Sequence, residues 1–121
     1  MSQYNDTGYK AVTLSGTVAQ FARVTAAGAA AAATDQDIGV AMVAGVSGDV
    51  ISVALVSKQG THKAIAASAL TLGAKVYGAA SGKVNDTQAT GSFLRGIAVE
   101  AAAADGDIIE IIPCVGDTAG S

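Results

Sequence analysis

The chain has 121 residues, a net charge of −3 at pH 7 and a pI of about 4.7; 50% of its residues are hydrophobic but only 4% are aromatic. This length fits one domain, and the 7 scattered Lys and Arg residues offer no basic face, which disfavours nucleic acid binding. Because an Ala-rich core buries little area per side chain, we expect part of the stability to come from association of subunits.

The sequence also argues against a secreted or membrane-spanning class. Cys114 is the single cysteine, so no intramolecular disulfide forms and a reducing compartment is expected. The N-terminus is too polar for a signal peptide. No run of about 18 apolar residues is free of Gly and polar breaks, so no membrane span is expected.

Three segments are predicted along the chain. Residues 1–10 are polar, carry Tyr4 and Tyr9 and lack strand periodicity, so they form an extended N-terminal arm or a frayed terminus. Residues 11–115 form one β domain, and residues 116–121 form a flexible tail.

Within the domain, short apolar runs alternate with turn residues. Residues 11–14 and 18–25 are predicted strands, and residues 26–33 are predicted as loop because the Ala run is short and Gly28 interrupts it. Residues 38–56 form a predicted β-hairpin. A further strand is expected within residues 61–67, and another begins near Lys75.

A second predicted hairpin spans residues 96–112, and its pattern repeats that of the first. Ile51 and Val53 match Ile109 and Ile111, so the same strand face is apolar in both. Leu14 and Val18 also recur as Leu72 and Val76. Together these matches indicate two similar halves, residues 11–56 and 69–113, that bury a face against each other, with chance similarity as the alternative. Many short strands with Gly turns predict a mainly β fold, a small closed or nearly closed barrel.

The chain contains no convincing catalytic, cofactor or metal motif. His62 has no assignable nucleophile and is interpreted as a solvated strand residue, and Cys114 as a small packed side chain. The stretch at residues 81–83 precedes a polar loop and not a helix, so it is no phosphate loop. The acidic residues near turns lack calcium-loop order and are interpreted as turn residues: Asp35, Asp37, Asp49, Asp105 and Asp107. We therefore predict a protein that is not an enzyme and needs no cofactor.

The last strand offers apolar groups to both of its faces. Ile108 and Ile112 have the parity opposite to Ile109 and Ile111, and Val50 takes the matching place in the first hairpin. We expect Val50, Ile108 and Ile112 to form a subunit interface. The alternative is that another part of the same chain covers this face.

Three stretches of the chain form a distinctive set in this order: Ser2-Gln3-Tyr4-Asn5-Asp6-Thr7-Gly8-Tyr9-Lys10, then Gly73-Ala74-Lys75-Val76-Tyr77 with Gly82-Lys83-Val84, and Arg95-Gly96-Ile97-Ala98-Val99-Glu100. Through them the chain resembles, over nearly its full length, the capsid decoration, or cement, proteins of tailed bacteriophages. The chain is similar in type to the head decoration protein of phage lambda. That resemblance implies a compact β fold of the β-tulip type and a homotrimer on the outer surface of the mature capsid.

The resemblance also implies partners and a site. The arm would add to the edge of strands in the major capsid protein, with Tyr4, Asn5, Tyr9 and Lys10 as contact residues. The protein would be made in the bacterial cytoplasm and stabilise the capsid on the virion. The alternative function is a virion surface module that binds host or glycan through residues 26–37 and 85–91, although these loops contain almost no aromatic residues for sugar stacking.

Overall fold

The structure is a computed structural model that describes residues 8–56, 60–88 and 91–113. Its regular structure is almost entirely β, as predicted, and the one helical element in these residues is a 3₁₀ turn at Ala80–Gly82. The strands are β1 Tyr9–Thr13, β2 Arg23–Val24, β3 Gly39–Ala41, β4 Val50–Leu55, β5 His62–Ile65, β6 Lys75–Gly78, β7 Val84–Asn85, β8 Leu94–Ala98 and β9 Ile108–Pro113.

The strands form two antiparallel sheets that follow the same plan. The first sheet has the order β1-β4-β3-β2, and the second has the order β5-β9-β8-β6-β7. Taken in chain order, β5, β6, β8 and β9 therefore repeat the places of β1, β2, β3 and β4, and β7 is an addition. The predicted internal duplication is confirmed at the level of topology.

Both predicted hairpins are present, and their registers match residue for residue. Gly39 lies opposite Leu55 in the β3–β4 pair, and Gly96 lies opposite Pro113 in the β8–β9 pair. A Cβ added at Gly39 would overlap the carbonyl oxygen of Ala54, and a Cβ at Gly96 would overlap that of Ile112. Both hairpins therefore use glycine where two backbones approach too closely for a side chain.

Hydrogen bonds outside the strands repeat as well. The Leu14 amide donates to Asp49 O at 2.8 Å, and in the second half the Ala66 amide donates to Asp107 O at 2.8 Å. The isolated bridge between Val18 and Gly45 has its counterpart in the bridge between Leu70 and Ala102.

This correspondence corrects the predicted boundary of the second half. Leu14 and Val18 correspond to Ala66 and Leu70, whereas the sequence comparison aligned them with Leu72 and Val76. The second half therefore includes β5 and starts before residue 69. Alignment by residue type failed because Ala66 replaces a leucine in a chain where alanine and glycine recur everywhere.

Backbone hydrogen bonds outside the strand ladders join the edge strands to neighbouring segments within each half. In the first half, the Ser15 amide donates to Gly28 O at 3.0 Å, which joins the end of β1 to the segment after β2. In the second half, the Ala67 amide donates to Val84 O at 2.7 Å, which joins the end of β5 to β7. The sequence predicted one small barrel for the domain, and the structure has two antiparallel sheets, one of which is a half-barrel.

The buried apolar residues form two clusters, one for each half. Val53 and Ile111 lie at the centres of the corresponding strands and are 0% and 1% exposed. The first cluster contains Val12, Leu14, Val18, Ala22, Val24, Ala41, Ile51, Val53 and Ile65, and the second contains Ala64, Ala66, Leu70, Val76, Val84, Ala98, Ala102, Ile109 and Ile111. Within the described part of the second half, Ile65 is the one buried residue whose side chain belongs to the core of the first half.

Three local predictions need correction. Of the predicted strand at 18–25, only Arg23–Val24 is extended, because the chain turns at Phe21, whose φ is 68°. The predicted arm of residues 1–10 overlaps β1 at Tyr9 and Lys10. His62 lies in a strand, as expected, but it is 3% exposed and not solvated. The prediction of loop for residues 26–33 is confirmed.

Candidate interaction surfaces

Corresponding cross-strand rows in the two sheets have opposite environments. In the first sheet the register aligns Arg23, Val40, Ala54 and Tyr9, which we call the covered row. In the second sheet the same places are taken by Lys75, Ile97 and Ile112, and the row continues to Thr61, just before β5. We call these four residues the open row.

The covered row packs against the second half of the molecule. Val40 is 2% exposed and Ala54 is 4% exposed, although both point away from the core of their own half. They line a cavity of about 110 Å³ together with Tyr9, Phe21, Met42, Thr61, His62 and Lys63. The residues from β5 and Thr61 thus close over this face, which is why His62 is buried.

The open row lies at the surface. Ile97 is 37% exposed and Ile112 is 48% exposed, and Ile108, on the same face of β9, is also 48% exposed. Val50, which corresponds to Ile108 in the first half, is 66% exposed. The three residues predicted to form a subunit interface are therefore all accessible, and Ile97 joins them as a residue that the sequence argument missed.

A buried ion cluster connects the two halves at the Arg23 end of the covered row. The Asp37 carboxylate lies between two guanidinium groups, with Oδ1 at 2.7 Å from Arg95 Nε and 3.3 Å from Arg23 Nη1. The three side chains are 3% exposed or less. Arg23 belongs to β2 and Arg95 to β8, so one carboxylate holds a strand of each sheet.

Arg23 makes its remaining contacts with backbone carbonyl oxygens from both halves. Its Nη2 donates to Ala79 O at 2.7 Å, and its Nε donates to Lys83 O at 3.0 Å. Further acceptors are the carbonyl oxygens of Asp35, Ala31 and Ala32. The planar guanidinium therefore acts as a bridge that satisfies loop carbonyls on both sides.

Burial is unfavourable for the charges in this cluster. It raises the pKa of the Asp37 carboxyl, and the positive charges of Arg95 and Arg23 oppose that shift. It lowers the pKa of the Arg23 guanidinium, and Asp37 opposes that shift. The contacts among the three groups offset part of the desolvation cost, so loss of one partner would leave an uncompensated buried charge.

The sequence pattern did not predict this ion cluster, and the interpretation of Asp37 as a turn residue is wrong. Asp49 and Asp107 are turn residues as predicted, since their Oδ2 atoms accept from Val46 N at 2.9 Å and Ala103 N at 2.8 Å. Asp37 is not a turn residue but the anion of a buried cluster. One feature of the sequence could have indicated the cluster: Arg23 and Arg95 each lie within an otherwise apolar strand.

The edge of the first sheet at β1 borders a groove. The groove is lined by Lys10, Ala11, Val12, Thr13, Ala26, Ile38 and Leu55. The Leu55 amide donates to Gly8 O, and the Leu14 amide donates to Asp49 O, which sets the alternation of the ladder. By that alternation the backbone groups of Ala11 point away from β4, toward the groove, whereas the carbonyl oxygen of Thr13 lies close to Gly28. Such an edge suits pairing with an added strand.

The predicted contact residues of the arm divide between two regions. Tyr9 and Lys10 are exposed residues of β1. Tyr4 and Asn5 lie outside the described residues, as do Cys114 and the predicted tail at 116–121. In the described ranges no cluster of three or more His, Cys, Asp or Glu side chains could hold a metal ion, and no helix is long and apolar enough to cross a membrane.

Comparison with known protein families gives a match over nearly the whole chain. A family model described as phage cement protein matches residues 4–113. The chain belongs to the phage cement protein family. It is therefore a structural phage protein associated with the capsid, and the resemblance seen in the sequence is confirmed. A sequence comparison with curated proteins found no match.

A solved structure of a phage head protein has the same fold as this cement protein. It is the N-terminal base of the head fibre protein gp8.5 of bacteriophage phi29, with a TM-score of 0.73 and 18% sequence identity. The match covers 88% of this chain and 92% of that chain. At this identity the similarity establishes the fold, and the roles of individual residues must come from the chain itself.

Proposed function

We propose that this protein binds the outer surface of the mature phage capsid and stabilises it, as a homotrimer. Membership of the cement family is the observation that carries this proposal. Stabilisation follows from linkage: a protein that binds only the assembled mature lattice lowers the free energy of that state, and repeated sites add their contributions. Localisation on the outer capsid surface belongs to the same proposal.

The capsid contact is proposed to involve the N-terminal segment and the adjoining edge. Tyr4 and Asn5 would contact the major capsid protein, together with Tyr9 and Lys10 at the start of β1. Tyr9 and Lys10 are exposed, and the groove beside β1 gives the segment and a capsid strand a place to meet. Backbone hydrogen bonding along such an edge gives affinity with little dependence on sequence.

Contacts between subunits are proposed to use the exposed aliphatic residues Val50, Ile108 and Ile112. A chain whose cores consist largely of Ala, Val and Ile has little area to bury inside one molecule. Exposed isoleucines on one face of β9, on either side of Glu110, would be unfavourable in an isolated monomer but would stabilise an oligomer.

A binding experiment with capsids tests this function. Purified protein is added to capsids that lack it, and bound copies are counted after sedimentation. Saturable binding at a fixed number of sites per hexamer is expected. No binding to capsids, together with affinity for host cells or glycans, would instead support a virion surface module that recognises the host.

A further inference from the structure

The internal duplication shows what occupies one face of a half when that face is covered. In the first half, Val40 and Ala54 of the covered row are buried beside β5 of the second half, and β3 and β5 lie next to each other. Thr61, His62 and Lys63 line the cavity over Val40 and Ala54. The molecule therefore contains one complete example of a contact between the covered row of one half and the first strand of the next.

The second half carries the same row with nothing equivalent over it in the described residues. Val40 is replaced by Ile97 and Ala54 by Ile112, so the open row has larger aliphatic side chains than the covered one. Both are more than a third exposed, at 37% and 48%. Larger apolar groups at a more exposed place indicate a surface that another protein covers.

The strand that would cover the open row also exists. β1 corresponds to β5, because β1 pairs with β4 as β5 pairs with β9. Tyr9, Lys10 and Ala11 correspond to Thr61, His62 and Lys63, and all three are exposed. Lys10 and Ala11 are thus accessible for the contact that their counterparts make inside the molecule, and Tyr9, which lines the cavity over Val40, is 38% exposed.

We propose that the open row of one copy binds the start of β1 of a second copy, in the way that the covered row binds β5 of the same chain. Glu110 lies beside Ile112 on the same strand and face, where its carboxylate can meet Lys10 of the incoming copy. The inference rests on the proposed self-association and does not depend on capsid binding. Tyr9 and Lys10 then contact a neighbouring subunit, and the capsid-facing part of the arm shortens to the residues before them.

This contact is head-to-tail, since the two copies use different surfaces. A head-to-tail contact generates a closed ring when its rotation closes and an open filament when it does not. A ring agrees with the proposed homotrimer, whereas a symmetric contact of open row with open row would give only a dimer.

The first test is the mass of substituted proteins in solution. Ile112→Asp and Ile97→Asp are each expected to lower the mass measured by light scattering to that of the monomer, with an unchanged far-UV circular dichroism spectrum. Val43→Asp is the control, because Val43 is 49% exposed but lies outside the open row. An unchanged mass for both isoleucine variants, as expected if residues 1–7 of the same chain cover the row, would overturn the proposal.

The second test is disulfide cross-linking in a Cys114→Ser background. A chain carrying both Lys10→Cys and Ile112→Cys should form covalent oligomers up to the closed ring, whereas each single variant should remain uncross-linked. Ala11→Cys with Ile97→Cys is a second pair for the same contact. Cross-linking of Ile112→Cys alone would show a symmetric contact, and no cross-linking by either pair would show that the surfaces do not meet; either result contradicts the proposal. Neither assay contains capsids, so a negative result would contradict this subunit contact without testing capsid binding.

Discussion

Asp37 is the residue on which the connection between the two halves depends most directly. Among the described residues it is the single anion within ion-pair distance of both Arg23 and Arg95, and each arginine comes from a different sheet. Removing one partner from a buried cluster typically costs more than the cluster contributes when it is complete, because the remaining charges lose their compensation.

The substitution Asp37→Asn should therefore destabilise the protein by about 3–5 kcal/mol, since two guanidinium groups would remain buried without an anion. Chemical denaturation followed by circular dichroism measures the loss. Asp86→Asn is the control, because Asp86 is exposed and its substitution should change the stability little. A change at Asp37 no larger than that at Asp86 would show that the cluster is not needed for folding.

The turn before β2 and the corresponding turn before β6 both contain a residue with positive φ, but the residue types differ. The Phe21 amide donates to Ala41 O at 2.7 Å, and the Gly73 amide donates to Ala98 O at 2.8 Å, so the two residues correspond. Both have positive φ, 68° at Phe21 and 85° at Gly73. Phe21 packs against the core of its half, which offsets the strain of this conformation in a residue with a side chain.

The substitution Gly73→Ala should destabilise the protein by about 1–2 kcal/mol, because a Cβ is strained at this φ even where space is open. Gly16→Ala is a matched control: a Cβ there also meets nothing, and Gly16 does not have positive φ. Equal melting temperatures for Gly73→Ala and Gly16→Ala would contradict the assigned backbone conformation.

At the level of strands and hairpins, the sequence pattern predicted the two hairpins. It did not predict where the second half begins or which residues connect the two halves. Period-two patterns placed Ile51, Val53, Ile109 and Ile111 toward the cores, and all four are buried. The start of the second half could not be found in this way, because only the backbone hydrogen bonds show that Ala66 corresponds to Leu14. The ion cluster joins residues from three separate segments, and no local pattern brings these together.

The corresponding glycines of β3 and β8 permit a prediction for both hairpins at once. Gly39→Ala and Gly96→Ala should each destabilise the fold by more than Gly16→Ala does, because the added Cβ would overlap a backbone oxygen of the partner strand and force the strands apart. Denaturation midpoints of the three variants measure this. If the two hairpin variants were as stable as Gly16→Ala, the close backbone approach assigned to Gly39 and Gly96 would be contradicted.

At the level of the whole molecule, the duplicated β fold presents an apolar open row and a sheet edge at β1, and the chain belongs to a family of phage cement proteins. This family was predicted from the overall resemblance of the sequence to cement proteins and from its lack of catalytic motifs. The sequence pattern could not separate the open row from the covered row, because Ile97 and Val40 have the same strand parity and similar chemistry. Only their neighbours in space distinguish them.

Deletion of residues 1–7 should leave the fold intact and weaken attachment to capsids. The deletion stops before Tyr9 because β1 starts there and pairs with β4. Thermal melting of the free protein should be unchanged, whereas the amount bound to capsids at a fixed concentration should fall. A variant with residues 2–7 in scrambled order controls for length, and equal attachment by the deleted protein would reject a role for this segment.

The proposed function requires that binding stabilises the mature capsid, and calorimetry of capsids measures this directly. Capsids lacking the protein are melted with increasing amounts of it, and the disruption temperature is followed. We predict a rise that continues with free concentration as occupancy adds binding free energy to the assembled lattice. A disruption temperature that stays constant while the protein saturates its sites would contradict the claim.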